Sequence, residues 1–288
     1  MLLHPLPWPT GKRLAASITF DVDADSLIRN ARSDDGHLRL HPVTMGRYGP
    51  TVAVPCILDT WRRFGIRQTF FMPAWVMETY PATVEAILKG GHEIGHHSWR
   101  HEDPLGHSDD REAELFGRAM DTHVRMTGAK PRGYRAPVYN ATPAIIGRLI
   151  DEGFLYDSSL MADEIPYLMR HPRGEIIELP PHWGADDWPP FAHFEEIGYL
   201  MPVRAPSDGI RAFQEEYAAM HAVGGFFMPV LHPFLTGRLA RWAAMEAWLA
   251  PLVEAGDTWF APLEEIAAHA ARHRDLLRVD TIAEGDAA

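Results

Sequence analysis

Histidines and aspartates that could bind a metal ion lie in two short stretches of the chain. The stretch GHHSWRHEDP, residues 95–104, contains His97 and His101 four positions apart. The stretch FDVD contains Asp21 and Asp23, which would point to the same side of a strand because side chains alternate along it. Imidazole and carboxylate groups are common ligands of zinc and related cations. Together the two stretches could bind one divalent ion beside a second carboxylate.

The predicted elements place such residues at the ends of strands. Apolar runs of strand length alternate with helical patterns and helix caps along almost the whole chain. Thr142 followed by Pro143 predicts the start of one helix, and Asp109 with Glu112 has the spacing of a capping box at the start of another. The predicted strands cover residues 14–20, 66–72, 92–97, 132–136, 154–159, 175–180 and 225–231. The predicted helices cover residues 51–65, 82–91, 109–126, 143–153, 207–222 and 239–256, and a last strand and helix follow them.

This alternation predicts an α/β fold with a parallel sheet, and seven or eight β/α units favour a (β/α) barrel. No linker or low-complexity tract divides the chain, so a single domain over residues 1–288 is predicted. In such barrels the chemistry lies at the carboxyl ends of the strands. The polar residues expected to meet at that rim are Asp21, Asp23, His97, His101, Arg135 and His232.

Composition excludes several classes of partner and site. The 27 basic and 39 acidic side chains give a formal charge of -12, which argues against nucleic acid because phosphate binding needs a basic surface. Cys56 is the single cysteine, so an intrachain disulfide and a thiolate metal cluster are excluded. No apolar run has the length of a signal peptide or a membrane span, and a cytoplasmic location without membrane partners is expected.

Four motifs in order along the chain carry a resemblance to a known family. FDVD, HSWRH, RAP and VLH, between about residues 14 and 265, resemble the motifs of the polysaccharide deacetylase family, also called the NodB-homology or carbohydrate esterase 4 family. This resemblance implies a distorted (β/α) barrel. Most members have two adjacent aspartates in the first motif. The Asp-Val-Asp found here resembles the branch that contains allantoinase-like proteins, cyclic imide hydrolases and some peptidoglycan deacetylase homologues.

The resemblance also implies a role for each rim residue. Asp23, His97 and His101 would bind a divalent metal, with zinc as the first choice and cobalt, nickel, manganese or ferrous iron as alternatives. Asp21 would act as the general base. Arg135 would hold Asp21 in place through a bidentate pair, and His232, titrating near neutrality, would protonate the departing nitrogen; these two residues complete the predicted catalytic set.

Two long segments bear on the substrate. Residues 24–50 and residues 181–206 are expected to be loops beside the rim, and the second is rich in aromatic residues. Aromatic walls suit a small ring that must be shielded from water, so Trp183, Trp188 and Phe191 are predicted to bind substrate. The same aromatic segment could instead contact a second subunit, which leaves a homo-oligomer open.

The predicted function is metal-dependent hydrolysis of a non-peptide C–N bond in a small-molecule amide, most specifically a cyclic imide or ureide. One alternative is an N-acetyl deacetylase of amino sugars or peptidoglycan fragments, which would use the same rim residues. A more remote alternative is a binding module without catalysis; the presence of Asp21 and both metal histidines argues against it.

Overall fold

The computed structural model describes residues 5–282 of the chain. Its strands are β1 Leu14–Ala16, β2 Thr19–Asp21, β3 Thr69–Met72, β4 Glu93–His96, β5 Gly133–Tyr134, β6 Tyr156–Asp157, β7 Tyr167–His171, β8 Gly174–Glu178, β9 Phe226–Phe227, β10 Val230–Leu231, β11 Thr258–Phe260 and β12 Val279–Thr281. Its helices are α1 Ser26–Ala31, α2 Leu40–Tyr48, α3 Val54–Phe64, α4 Ala74–Thr79, α5 Pro81–Lys89, α6 Asp109–Thr127, α7 Pro143–Asp151, α8 Trp188–Phe191, α9 Pro206–Val223, α10 Leu239–Ala255 and α11 Leu263–Arg272.

The strands form two sheets. The chain passes directly from one sheet to the other between β1 and β2 and again between β9 and β10. One sheet has the order β11-β1-β9 and the other β10-β2-β3-β4-β5-β6-β8-β7-β12. Hydrogen bonds from the Ser17 and Thr19 N–H groups to the Phe227 and Pro229 carbonyls, each 3.0 Å long, continue the pairing from one sheet into the other. The predicted α/β fold with parallel β/α units is therefore confirmed.

The distortion of the barrel lies on one side. Every pair of neighbouring strands in the described residues is parallel except β7 and β8, which form an antiparallel hairpin in place of a β/α unit. The chain after β8 then crosses to the opposite edge, where an isolated parallel bridge joins Asp186 to Val230. This bridge brings the segment that follows β8 next to the end of β10.

The core explains why the central strands are apolar on both faces. In β2 and β3, Phe20 and Phe70 stack with ring centroids 4.8 Å apart, and Trp61 of α3 packs edge-on against Trp242 of α10 at 5.5 Å. All four side chains are buried. Helices cover the outside of the sheet, so the strands bury apolar residues toward both layers.

No helix within residues 5–282 combines the length and the apolar character needed to cross a bilayer.

Most predicted helix ends are confirmed, with one correction. Helix α3 ends at Gly65, whose φ of 68° is left-handed, and the Thr142 side chain accepts a hydrogen bond from Ile145 N–H at the start of α7. Helix α6, however, is capped by Ser108 and not by Asp109. Ser108 has extended backbone and its hydroxyl accepts from Arg111 N–H, so Asp109 is already the first helical residue.

The prediction of a loop at residues 24–50 is wrong. This segment folds into α1, a 3₁₀ turn at Gly36–Leu38 and α2, and continues through a π-helical turn into α3. Ile28 and Val43 from these helices are buried with Phe234, which follows β10. The apolar positions are too few and the helices too short to give a clear period in the sequence.

His96 makes stability depend on pH. Burial between aromatic rings lowers the pKa of His96 to about 3, with a further contribution from His123. In the unfolded chain this imidazole gains a proton below about pH 6.5, whereas in the folded protein it remains neutral. We therefore expect His96 to decrease the free energy of unfolding of metal-free protein by roughly 1.4 kcal/mol per pH unit as the pH falls from 6 to 4.

Urea denaturation across this pH range measures the effect. The variant His96→Phe, which keeps an aromatic ring at this position, is expected to show a shallower pH dependence than the wild type, whereas substitution of the exposed His37 should leave the slope unchanged. An equal slope in wild type and His96→Phe would contradict the assignment.

Candidate active site

Three residues from two strand ends bring their ligand atoms together. Asp23 follows β2, and His97 follows β4. His97 Nε2 lies 3.4 Å from Asp23 Oδ1, and His101 Nε2 lies 3.7 Å from Asp23 Oδ2. Ligands about 2.0–2.1 Å from a tetrahedral ion are separated by roughly 3.3 Å from one another. The predicted ligand set therefore has the spacing of a metal centre.

Three polar atoms of this group also lack hydrogen bonds. Both carboxylate oxygens of Asp23 and Nε2 of His97 are buried without a hydrogen bond. His97 Nδ1 is 2.7 Å from the Arg135 carbonyl oxygen, to which it donates, so Nε2 carries the lone pair. Buried polar atoms without partners are costly, and a cation at this position would satisfy all three. Asp23, His97 and His101 thus fit a divalent metal.

The charges of Asp23 and His101 agree with metal binding, whereas Asp21 and Asp23 raise the pKa of His97 in spite of its burial. Burial raises the pKa of Asp23, but the neighbouring histidines His101, His97 and His232 outweigh it, and the net pKa is lowered. Burial lowers the pKa of His101, and this effect exceeds the opposing one of Asp23. An ionised carboxylate and a neutral imidazole are the forms that bind a metal.

A second group of possible metal ligands, Asp186, Asp187 and His232, is different because its atoms are already hydrogen-bonded. Asp187 Oδ1 accepts from His232 Nδ1 at 2.7 Å, and Asp187 Oδ2 accepts from the N–H groups of His232 and Thr236 at 2.9 and 3.2 Å. We interpret Asp187 as the residue of this group whose hydrogen bonds orient His232.

Arg135 holds Asp21, but not in the predicted bidentate manner. Its Nη1 donates to Asp21 Oδ1 at 2.7 Å, whereas Nε and Nη2 donate to the carbonyl and hydroxyl oxygens of Ser158 at 3.1 and 2.9 Å. The guanidinium is completely buried and stacks over Phe71 at 4.2 Å. Because Ser158 takes the other donors, Asp21 Oδ2 is left facing the metal group, 3.9 Å from His97 Nε2.

His232 faces the same group from the opposite side. Its Nε2 lies 3.5 Å from Asp23 Oδ2. Burial lowers the pKa of His232, but the attraction and hydrogen bond of Asp187, with smaller effects of Asp186 and Asp23, raise it to about 10. Its acidic neighbours therefore raise the pKa of His232 above the near-neutral value expected from the sequence.

Asp187 is a further candidate residue of the site, and it belongs to none of the four sequence motifs. It lies in GADDWPP, outside any predicted strand, and reaches the rim through the bridge between Asp186 and Val230. The adjacent carboxylates of Asp186 and Asp187 are the feature of the sequence that could have indicated this residue. Their partner His232 lies 45 residues away in the sequence.

The Asp187–His232 pair gives a testable effect on the pH profile. Asp187→Asn removes the negative charge, so we expect the pKa of His232 to fall and the alkaline limb of the kcat profile to move to lower pH. At neutral pH kcat should decrease by about 10–100-fold. An unchanged alkaline limb, measured with metal content equal to wild type, would contradict this assignment.

A small cavity opens above the metal group. Its volume is about 180 Å³. Asp21, Asp23, His101, Tyr139, Asp186 and His232 form its polar surface, and Leu27, Ala136, Val138, Trp183, Trp188 and Ile197 form its apolar walls. Two of the three predicted substrate-binding aromatics, Trp183 and Trp188, therefore lie where they were expected.

Phe191 is the exception, and its prediction as a substrate-binding residue is not supported by its position. It is 2% exposed and lies outside the residues that line the cavity. Its ring packs against Gly209 of α9, where a Cβ would come within 2.2 Å of the ring, and under the Arg241 guanidinium at 4.3 Å. Phe191 anchors the aromatic segment to the core.

Unusual backbone conformations cluster at the site. Among the described non-glycine residues, positive φ occurs at Ala24, Ser98, His101, Val138 and Tyr139, with values from 49° to 63°. His101 is a candidate metal ligand, Ala24 and Ser98 each follow a candidate ligand, and Val138 and Tyr139 follow the RAP motif. Each such conformation costs about 1–3 kcal/mol and persists only when the surroundings enforce it. The Glu102 carboxylate supports the histidine loop by accepting from Ser98 Oγ and Arg100 N–H at 3.1 and 2.7 Å.

Comparison with known proteins gives consistent results. The polysaccharide deacetylase family model matches residues 47–154, a range that includes His97, His101 and Arg135. A peptidoglycan deacetylase from Helicobacter pylori is 25% identical over 250 residues, covering 77% of this chain and 84% of that protein. The structure of PuuE allantoinase has a TM-score of 0.79 at 22% identity over 93% of both chains, which shows a shared fold.

The relationship to a Mycobacterium smegmatis protein classed with the polysaccharide deacetylases extends over the full length. The two structures have a TM-score of 0.92, and the sequences are 32% identical with 99% of each chain covered. The chain therefore belongs to the polysaccharide deacetylase family and is a hydrolase of carbon–nitrogen bonds.

Proposed function

We propose that this protein opens a small cyclic imide or ureide by metal-dependent hydrolysis of a ring C–N bond. The observation that carries the proposal is the cavity, which has a volume of about 180 Å³ and is walled by Trp183, Trp188 and Ile197. Pockets for small molecules commonly measure about 300–1,000 Å³. A cavity smaller than that range favours a compact ring over a chain of linked sugars.

Asp23, His97 and His101 would hold the metal, and zinc is our first choice because two imidazoles and one carboxylate suit it. When bound, the ion would polarise the scissile carbonyl and make water a stronger nucleophile near neutral pH. Cobalt, nickel, manganese and ferrous iron remain chemical alternatives.

Asp21 and His232 would move the protons. Asp21 Oδ2 faces the cavity and would accept a proton from the attacking water, while Arg135, 2.7 Å from Oδ1, orients the carboxylate and balances its charge. The water oxygen bonds to the carbonyl carbon and the C–N bond breaks. His232 Nε2 would donate its proton to the departing nitrogen, so the products are a carboxylate and an open-chain amide or urea nitrogen.

The second candidate is removal of an acetyl group from an amino sugar or peptidoglycan fragment. The similarity to the H. pylori peptidoglycan deacetylase, over 84% of that protein, favours it. The likeness to an allantoinase, at 22% identity, concerns the fold and does not decide between the two. Because both reactions would use the same rim residues, the cavity walls must distinguish them.

A panel of substrates tests the proposal. Zinc-loaded protein and its chelated form would be assayed with succinimide, glutarimide, hydantoin and allantoin, and with N-acetylglucosamine and its oligomers. We expect metal-dependent opening of at least one ring without release of acetate from the sugars. Release of acetate with all rings intact would reject the proposal and support the second candidate.

A further inference from the structure

Asp186 is a buried carboxylate of the cavity to which the mechanism above gives no role. It is 2% exposed and lies beside Asp187, with Oδ1 4.0 Å from His232 Nδ1. Asp187 already forms the 2.7 Å ion pair with that nitrogen. The hydrogen bonds that Asp186 accepts in the described structure come from neutral donors, the Tyr139 hydroxyl and the Trp188 N–H.

Within the cavity, the basic group beside Asp186 is His232, which already pairs with Asp187. No lysine or arginine is among the described residues that line the cavity. Arg135 is engaged by Asp21 and Ser158, and Arg241 of α10 stacks on Phe191 while donating to the Leu235 carbonyl. An ionised carboxylate offers about four acceptor positions, so Asp186 retains capacity for a further donor. Its surroundings favour a donor supplied by the substrate.

The residue that donates a hydrogen bond to the Asp186 carboxylate lies in strained backbone. Tyr139, whose hydroxyl donates to Asp186 Oδ2, has φ of 61°, and the preceding Val138 has φ of 49°. A left-handed conformation is a genuine outlier for a β-branched residue such as valine. Trp183 packs edge-on against the Tyr139 ring, with centroids 5.0 Å apart. This arrangement fixes the Tyr139–Asp186 pair at the cavity surface.

Asp186 lies beside the residue that is proposed to protonate the nitrogen of the scissile bond. His232, the proposed proton donor to that nitrogen, also lies at the cavity surface, next to Asp186. A ring imide or ureide is neutral and carries an N–H group at this nitrogen. We propose that Asp186, held by Tyr139, accepts a hydrogen bond from the ring N–H and thereby selects rings with an unsubstituted nitrogen. This inference rests on the proposed ring-opening function.

The reaction remains balanced with Asp186 in this role. The nitrogen keeps its own hydrogen, directed to Asp186, and gains the second from His232 as the C–N bond breaks. The water oxygen is added to the carbonyl carbon; one of its protons goes to Asp21, and the other is released when the new carboxylic acid ionises. Asp186 itself neither gains nor loses a proton, so it is a residue of specificity and not an acid or base.

Paired substrates test the inference. We expect wild-type protein to show a kcat/KM for succinimide about 100-fold higher than for N-methylsuccinimide, because the methylated ring lacks the donor. Asp186→Asn keeps the shape of the side chain but loses its charge, and should reduce this ratio to within about 10-fold, mainly through a lower rate with succinimide. Tyr139→Phe, which keeps the carboxylate, should retain a larger ratio than Asp186→Asn.

Trp183→Phe is the matched control for the cavity wall. It should change kcat/KM for both rings by similar factors and leave the ratio near the wild-type value. Metal content and unfolding are measured for every variant to identify a variant that fails to fold.

Failure of the proposed Asp186 role and failure of the proposed function give different results. An unchanged ratio in a folded, metal-loaded Asp186→Asn protein would overturn the role of Asp186 while ring opening stands. A wild-type protein that opens neither ring, nor any other ring of the panel, would reject the proposed function and this inference with it.

Discussion

Asp21→Asn is expected to lower kcat by about 10²–10⁴-fold without loss of bound metal. Asparagine has nearly the shape of aspartate, so the hydrogen bond from Arg135 to Oδ1 at 2.7 Å can persist. It cannot, however, accept a proton from water. Steady-state kinetics on the best substrate, with elemental analysis of the same preparation, measures both quantities.

Asp25→Asn is the control for this substitution. Asp25 is a buried carboxylate of the same FDVDAD stretch that pairs with Arg29 at 2.7 Å and accepts from the Tyr80 hydroxyl at 2.5 Å. It lies outside the residues that line the cavity. Asp25→Asn should affect stability more than kcat. Full activity in Asp21→Asn would remove Asp21 as the general base.

His101→Ala and Asp23→Ala are expected to abolish stoichiometric metal binding and to reduce kcat by about 10⁴-fold or more. Each change removes one of the three proposed metal ligands. The atoms left behind include the buried Nε2 of His97, for which the structure provides no hydrogen bond. Metal content after dialysis against buffered zinc gives the result directly.

His107→Ala serves as the matched control because this histidine lies in the same loop and is exposed. It should bind metal as the wild type does. Full metal content in both ligand variants would show that the ion, if it binds, occupies a different position.

The rim residues could be predicted because a parallel sheet aligns the ends of its strands. Asp23 and His97 are far apart in sequence, yet β2 and β4 both pair with β3, so their carboxyl ends meet. The family resemblance then assigned a role to each residue. The prediction of a bidentate pair between Arg135 and Asp21 is wrong because Ser158, at the end of β6, accepts hydrogen bonds from the other guanidinium nitrogens. Sequence spacing does not reveal such competition.

The aromatic segment after β8 was harder to predict because its partners are distant in sequence. Trp188 faces the cavity and packs against His232 at 5.3 Å, whereas Phe191, three residues later, turns to the core at Gly209. Composition alone does not distinguish these two orientations. The strained conformation of Tyr139 and the role of Asp187 also depend on tertiary contacts, so only the folded chain shows them.

The most direct test of the account is a zinc titration of the chelated protein, followed by the rate of ring opening on a substrate identified in the panel. We predict that activity rises from background in proportion to added zinc and reaches a plateau at one equivalent per chain. This result would agree with one ion bound by Asp23, His97 and His101, and with the hydrogen-bonded Asp186–Asp187–His232 group binding none. Full activity in the chelated protein, or a plateau at two equivalents, would contradict it.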